Sequence, residues 1–310
     1  MEQISNIVHI NQRLDRDKWH RPLMSVIITH HNYADHVEDA ILSVIDQTHS
    51  NLECVIVDDG SDTYNLAELK RIVRAIDDDR VRVVELPDNV GQIDSFFVGM
   101  QETTGQFVCP LDPDDRYAKD FLEQSLAAHL NKYVFVPLVC SDQYTLQSEE
   151  VVASVMTRHG IDKSGETLKF IPAHDGRWHW SSTSSLCLRR DALKYLLPHR
   201  PVVTRFGHEM GALDSYLAPA AHKMGGTIFI REPLVYRSAH NDNAWLRTGR
   251  VSLFETCKRD DAQPRSYEIR KFADEVLAYN SAPVRIGPAR KRRLLAKWKR
   301  SIRKRLPWRS

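Results

Sequence analysis

Apolar residues in the first 140 positions alternate between two spacings. Met24–Thr29 (MSVIIT) is a short, continuous, β-branched run, the pattern of a buried strand. Val37, Ile41, Val44 and Ile45 then recur at helical intervals, which predicts a helix from about Asp35 to Gln47. The alternation continues. Leu52–Val57 reads as a second strand, and Leu66, Leu69, Ile72, Val73 and Ile76 mark a second helix. Val81–Leu86 is a third strand, and Ile93, Phe96, Phe97 and Met100 mark a third helix, with both Phe in the core. Phe107–Leu111 is a fourth strand. Phe121, Leu122, Ser125 and Leu126 suggest a further helix, and Val134–Cys140 a fifth strand. Pro110 donates no hydrogen bond, so a bulge is expected at the end of its strand. After about residue 145 the pattern weakens. Val151–Met156, Ser185–Leu188 and Thr227–Ile230 read as short strands. Asp191–Leu197 and Ala212–Met224 read as helices, the latter kinked or shortened by Pro219.

Strands alternating with helices through short connections predict an α/β domain, a mostly parallel sheet with helices on both faces. Ligands of such sheets bind beyond the carboxyl ends of the strands. Acids gather there: Asp58 and Asp59 after the second strand, Asp112, Asp114 and Asp115 after the fourth. Taken alone, Asp-Pro-Asp-Asp reads as a turn or helix cap, or as a cation site. Three carboxylates in four residues repel one another unless a cation is present. Mg2+ or Mn2+ takes one or two carboxylates and fills its shell with water and phosphate oxygens. The Asp58-Asp59 pair, followed by Gly60-Ser61-Asp62, is a turn that near a nucleotide could accept hydrogen bonds from base or ribose.

Charge changes the picture at the far end. Eleven of the 43 Lys and Arg, and none of the 41 acids, fall in residues 290–310, which leaves −9 on residues 1–289. Leu294, Trp298, Ile302 and Leu306 recur every four residues among these bases, with Pro307 closing the run. That is a basic amphipathic helix of the kind that lies on an anionic membrane surface; nucleic acid is not the expected partner. No run of about 18 apolar residues exists to span a bilayer, and no signal-peptide pattern opens the chain. Five cysteines lie scattered without CxxC spacing, three of them in apolar runs, and read as reduced core residues of a cytosolic protein rather than a zinc site. The expected location is cytoplasmic, peripheral to the inner face of the cell membrane.

The order and spacing of several segments resemble glycosyltransferase family 2. They are Val26-Ile27-Ile28-Thr29-His30-His31-Asn32-Tyr33, Ser43-Val44-Ile45-Asp46-Gln47-Thr48 and Val55-Ile56-Val57-Asp58-Asp59-Gly60-Ser61-Asp62, then Asn89-Val90-Gly91 and Leu111-Asp112-Pro113-Asp114-Asp115. The resemblance implies a GT-A (nucleotide-diphospho-sugar transferase) fold and inverting sugar transfer from a nucleotide-sugar donor, UDP-linked by family frequency. It implies that Thr29, His31, Asn32, Asp58, Asp59 and Gly91 contact the donor nucleotide. Asp112, Asp114 and Asp115 would supply the site for Mn2+ or Mg2+, with Asp114 or Asp115 the direct ligand. Asp214-Ser215-Tyr216-Leu217 resembles the segment carrying the family's catalytic base, which falls on Asp214; Leu213 stands where a Glu usually precedes it, and Glu209 is the nearest upstream alternative. Tyr236 to Asn243 resembles the closing loop, whose His240 would reach metal or diphosphate. The acceptor implied is a saccharide or lipid-linked hydroxyl, with Trp178-His179-Trp180 either stacking on it or packing beneath a strand. The chain divides accordingly into an N-terminal extension (1–21), a nucleotide-sugar-binding half (22–145), an acceptor-binding half (146–250) and a C-terminal extension with its basic tail (251–310). Thr29 and His31 stand where the family often has Pro and Tyr, and Phe96-Phe97 where it often has Arg-Asn. Three rivals fit less well. A nucleotidyltransferase wants a Gly-rich loop after the first strand. A receiver domain wants its acids after strands one and three. A dead sugar binder needs neither Asp214 nor His240.

Overall fold

The computed structural model describes residues 21–147, 150–152, 167–176, 180–199, 201–202, 213–239 and 264–281. Its first half follows the expected alternation: β1 (Met24–His30), α1 (Ala34–Ile45), β2 (Leu52–Asp59), α2 (Thr63–Ile76), β3 (Val81–Leu86), α3 (Gln92–Gln101) and β4 (Phe107–Leu111). Then come β5 (Arg116–Tyr117), α4 (Phe121–His129), β6 (Leu138–Gln147), β7 (Glu150–Val152) and β8 (Leu168–Ile171). A 3-10 turn (Thr183–Ser185) leads into β9 (Leu186–Arg189), α5 (Arg190–Leu196), α6 (Leu213–Lys223), β10 (Thr227–Ala239) and α7 (Pro264–Ser281).

All ten described strands form one sheet. Its order is β3-β2-β1-β4-β9-β6-β10-β5, with β7 on β6 and β8 on β10. The β3-β2-β1-β4 block is parallel, as is β6 with β10, while β9 runs antiparallel between β4 and β6. The sheet is therefore mixed, with its parallel part on the side that sequence alternation made legible. Side chains alternate between two cores. Val26, Ile28, Cys54 and Ile56 face α1, α2 and α4, and Ile27, Val55 and Val57 face α3, α5, α6 and α7. Burial on both faces is why these strands are continuously apolar rather than alternating. Phe96 and Phe97 are fully buried, as their spacing implied.

The structure corrects several boundaries. The fifth main strand starts at Leu138 rather than Val134, because Asn131 Oδ1 accepts from the backbone N–H of Tyr133 and Val134 and holds a turn there. Pro110 makes no bulge. The β1–β4 register runs unbroken from Met24 opposite Phe107 to Ile28 opposite Leu111. The Pro110 carbonyl accepts from the Tyr117 hydroxyl at 2.8 Å, so this edge of the residue faces away from β1 and no ladder donor is missed. The irregularity lies instead at Pro233, where β10 shifts register against β6 twice and then continues to Ala239. That is why β10 outruns the short strand expected at Thr227–Ile230. Helix α6 likewise runs through Pro219 to Lys223. The division at residue 145 falls inside β6. Residues 153–156 of the strand expected at Val151–Met156 lie outside the described residues.

Candidate active site

The carboxyl ends of β1, β2 and β4 converge with the loop before α3. His30 stands opposite Asp58 in the β1–β2 register. The His30 ring Nδ1 is 2.9 Å from Asp58 Oδ1, with both side chains enclosed (0% and 1% exposed). Tyr33 N–H donates to His30 Nε2 at 3.3 Å, and Ser61 N–H donates to Asp58 Oδ2 at 3.2 Å. Burial alone would raise the Asp58 carboxyl, but the bonds from His30 and Ser61 outweigh it and leave the group below the ordinary carboxylate range. His31 donates through Nδ1 to the Asp59 carbonyl at 2.8 Å. Asn32 adopts φ of 57°, a left-handed conformation that Asn tolerates. Its amide N–H donates to Ser61 Oγ and its Oδ1 accepts from Asp62 N–H. Thr29 lies nearly buried at the end of β1.

Asp59 points the other way. One oxygen accepts from Val90 N–H at 2.7 Å and the other from Gly91 N–H at 2.9 Å. Its carboxylate therefore fastens the turn that starts α3, with Gly91 as N-cap at φ of 84°. Burial nevertheless keeps its pKa above the ordinary range. Of the residues implied to touch the donor, Asp59 and Gly91 thus form a brace of the wall.

Beyond β4, Asp112, Asp114 and Asp115 share one turn, closed by Asp115 N–H donating to the Asp112 carbonyl at 3.1 Å. Asp112 Oδ1 accepts from Gln92 Nε2 at 2.7 Å, and its backbone N–H donates to Ser184 Oγ at 3.1 Å. Gln92 Oε1 in turn accepts from Leu213 N–H at 3.4 Å, which ties the start of α6, and so Asp214, to the same turn. Asp115 is 1% exposed, and both of its oxygens are engaged. Ser184 Oγ donates to one at 2.6 Å and Ser238 N–H to the other at 3.0 Å. Of the two candidates for direct metal ligand, Asp115 is turned into the protein, while Asp114 is half-buried. Burial, then Asp115, Asp114 and Asp214, push the Asp112 carboxyl well up, and Arg237 opposes them. Burial and Asp114 push Asp115 up to about 7, against Arg237, Ser184 and Ser238.

Among the described residues no group of three or more His, Cys, Asp or Glu is placed to hold a metal ion. The donor chemistry still suits a hard divalent cation. Asp115, Asp114 and Asp214 all bear on Asp112, with Arg237 opposing them, and Mg2+ or Mn2+ needs only one or two such carboxylates when phosphate supplies the rest. His240, Glu209, Trp178, His179 and residues 290–310 lie outside the described residues. Trp180 is buried edge-on against His222, 5.4 Å between ring centroids, which is the packing alternative for that residue.

Residues 25–169 match the profile described as Glycosyl transferase family 2. The chain is 28% identical over 71% of its length to the uncharacterized glycosyltransferase alr2836 of Nostoc sp., covering 66% of that protein. It is 38% identical over 34% of its length to a Bacillus subtilis protein named as a candidate teichuronic acid biosynthesis glycosyltransferase, TuaG, covering 41% of it. The chain thus spans about two-fifths to two-thirds of these relatives' lengths. Among solved structures it superposes on S. aureus TarS 1-349 in complex with UDP-GlcNAc at TM-score 0.58 and 16% identity, over 89% of this chain and 71% of that one. The mannosyltransferase PcManGT from Pyrobaculum calidifontis, in complex with GDP-Man and Mn2+, superposes at TM-score 0.51 and 16% identity, over 97% and 89%. The chain carries a glycosyltransferase family 2 domain, and its fold is GT-A.

Sequence reasoning missed His30, Gln92, Ser184 and Ser238. His30 had a usable signal: a ring with two nitrogens at the last position of an apolar strand, beside a strand ending in Asp58. Ser184 and Ser238 carried none, since they reach Asp115 across 69 and 123 residues of chain.

Proposed function

We propose that the protein is a metal-dependent inverting glycosyltransferase. It would move a sugar from a nucleotide-diphosphate donor, UDP-linked first, to a hydroxyl of a saccharide or lipid-linked acceptor in bacterial cell-surface polysaccharide or glycolipid synthesis. The observation that carries this is the convergence of Asp112, Asp114, Asp115 and Asp214 at the carboxyl edge of the sheet, the edge that also carries the His30–Asp58 pair. Asp114 and Asp112 would hold Mn2+ or Mg2+, with His240 the further ligand that the family resemblance implies. That ion supplies Lewis-acid neutralisation of charge on the leaving diphosphate. Thr29, His31 and Asp58 line the nucleoside end. Asp214, at the first turn of α6, accepts the proton of the acceptor hydroxyl as its oxygen attacks C1. The new C1–O bond forms as the bond from C1 to the phosphate oxygen breaks, and the nucleoside diphosphate leaves from the opposite face. A carboxylate is far too weak a base to ionise an alcohol beforehand, so proton transfer accompanies attack.

The relatives support the donor class: the TarS and PcManGT structures hold UDP-GlcNAc and GDP-Man, the latter with Mn2+. The test is thermal stabilisation by a panel of nucleotide sugars, with Mn2+ and then with chelator. Asp114→Ala should abolish the metal-dependent shift. Asp214→Asn should keep it and lose turnover. No shift with any nucleotide sugar sinks the donor site, and normal turnover of Asp214→Asn moves the base to Glu209. Residues 290–310 would seat the enzyme on the anionic inner face of the membrane. Loss of co-sedimentation with anionic vesicles on their removal is the expected result, and unchanged binding refutes it. No helix among the described residues is long and apolar enough to cross a membrane.

A further inference from the structure

β4 and β9 run antiparallel, with Phe107 opposite Arg189 and Val108 opposite Leu188. Arg190 N–H donates to the Gln106 carbonyl at 3.0 Å, which makes that pair, and every second pair after it, a hydrogen-bonding position. Further along, Asp112 N–H still meets Ser184, through its Oγ. Between these points the register sets Cys109 opposite Cys187, at a position of the other kind. Pairs without ladder bonds hold their Cα atoms about 4.5 Å apart, within the roughly 4.4–6.8 Å that a disulfide spans. Both side chains enter the same core, both are wholly enclosed, and both are free thiols. The two thiols hydrogen-bond to each other. Burial alone would raise Cys187, but the Cys109 thiol, His129 and Arg189 outweigh it and hold its pKa below the ordinary thiol range, whereas burial pushes Cys109 well up.

We propose that Cys109 and Cys187 are a dithiol modification site, which hydrogen peroxide converts to a disulfide that staples the parallel part of the sheet to its second half. Peroxide is little larger than water and so suits a closed site better than a bulky disulfide. The Cys187 thiolate attacks one peroxide oxygen, the O–O bond breaks, and hydroxide leaves and takes up the thiol proton as a sulfenic acid forms. The Cys109 sulfur then attacks that of Cys187. The S–S bond forms as the S–O bond breaks, and the Cys109 proton leaves with the oxygen as water. Two thiols are oxidised, one peroxide is reduced, and two waters result. A dithiol reductant reverses the step. The bond lies between the β4–β9 ladder and the Ser184 bonds to Asp112 and Asp115, so it fixes the strand pair that aims the acidic turn.

The test is titration of the full chain with hydrogen peroxide under native conditions, followed by alkylation of the remaining thiols and peptide mapping by mass spectrometry. The expected result is a linked pair of peptides through Cys109 and Cys187, lighter by two hydrogens than the separate peptides and released by dithiothreitol. Cys54 and Cys140 are also buried, and Cys140 faces the opposite core, so both should remain thiols. The bond closes a loop of roughly 80 residues, so the oxidised chain should melt about 5–10 °C higher, a gain absent from Cys109→Ala and Cys187→Ala. Mapping of the wild type needs neither variant and decides the matter should both fail to fold. Sulfinic or sulfonic acid at either residue without the link overturns the proposal. So does a bond from either to another cysteine, a link that leaves the melting midpoint unchanged, or a pair still reduced at peroxide concentrations that oxidise the methionines of the chain.

Discussion

Asp59→Ala separates a brace from a donor contact. In the wild type the carboxylate accepts from Val90 N–H at 2.7 Å and Gly91 N–H at 2.9 Å. Gly91 N–H has a second acceptor, Asn89 Oδ1, also at 2.9 Å. Truncation takes the carboxylate from both donors but leaves Gly91 its bond to Asn89, so the main loss is at Val90, whose unmade bond in this partly buried turn costs about 1–3 kcal/mol. The space left adds on the order of 1 kcal/mol. Relief of a desolvated charge, whose pKa burial has raised, offsets part of this. The net loss is about 2 kcal/mol, enough to lower the melting midpoint of a chain this size by roughly 4 °C. Asp59→Asn keeps an acceptor for Val90 without the buried charge, and should stay within about 0.5 kcal/mol of the wild type. Urea unfolding of both variants gives the two values, with UDP and Mn2+ titration alongside. A brace predicts that stability and affinity fall together in Asp59→Ala and survive together in Asp59→Asn. Wild-type stability in Asp59→Ala, with nucleotide affinity lost in both variants, would refute the brace and return Asp59 to the donor.

Two further outcomes follow, one beside the site and one at the amino ends of β1 and β2. Gly60 has φ of +66°, and a Cβ there would stand 2.5 Å from Asn89 N and Asp88 C, both backbone atoms. Gly60→Ala should cost at least about 2 kcal/mol through left-handed strain and loop displacement, measured by the same unfolding assay; a neutral substitution would contradict the packing of β2 against this turn. His49 is enclosed, its Nε2 is 3.0 Å from the Pro22 carbonyl and 3.1 Å from the Asn51 carbonyl, and burial holds its pKa below the usual 6.5. A group depressed in the fold binds its proton more readily when unfolded. Its share of stability is therefore complete above pH 6.5 and is lost as pH falls from there through the folded value. His49→Gln should flatten this part of the stability-versus-pH curve, and an unchanged slope would exclude the residue as its source.

Most of the first half was legible because one signal governed it. Strands buried on both faces need continuous β-branched runs, and covering helices need a 3.6-residue stripe, so β1 to α3 appear in the sequence within a few residues of their true ends. The signal failed where side-chain chemistry, not hydrophobic period, set the boundary. Asn131 capped the turn that delayed β6, and the bulge expected at Pro110 was absent while an unforeseen irregularity lay at Pro233. Pro110 keeps its place in the β1–β4 register while its carbonyl turns to the Tyr117 hydroxyl, whereas Pro233 occupies the irregular stretch of β10. The site divided in the same way. Acid clusters at strand ends were visible because consecutive carboxylates are costly without a partner. Which oxygens face the mouth was not, since Asp115 is turned inward by Ser184 and Ser238, and Asp59 by backbone that lies 31 and 32 residues away.

The partners of those carboxylates also settle how the domain must hold together. The family profile ends at residue 169. The groups that orient the β4 turn come mostly from beyond it: Ser184 bonds both Asp112 N–H and Asp115, Ser238 N–H holds the other Asp115 oxygen, and Leu213 N–H reaches the turn through Gln92. Buried carboxylates that repel one another adopt one arrangement only when such donors are all in place. The first 169 residues carry the recognisable sequence, but the second half of the sheet supplies the hydrogen bonds that aim it. Gln92 thus joins the Asp112 carboxylate to the backbone at the start of α6, and Ser184 joins Asp112 to Asp115, so both halves of the sheet share one hydrogen-bonded network around the β4 turn.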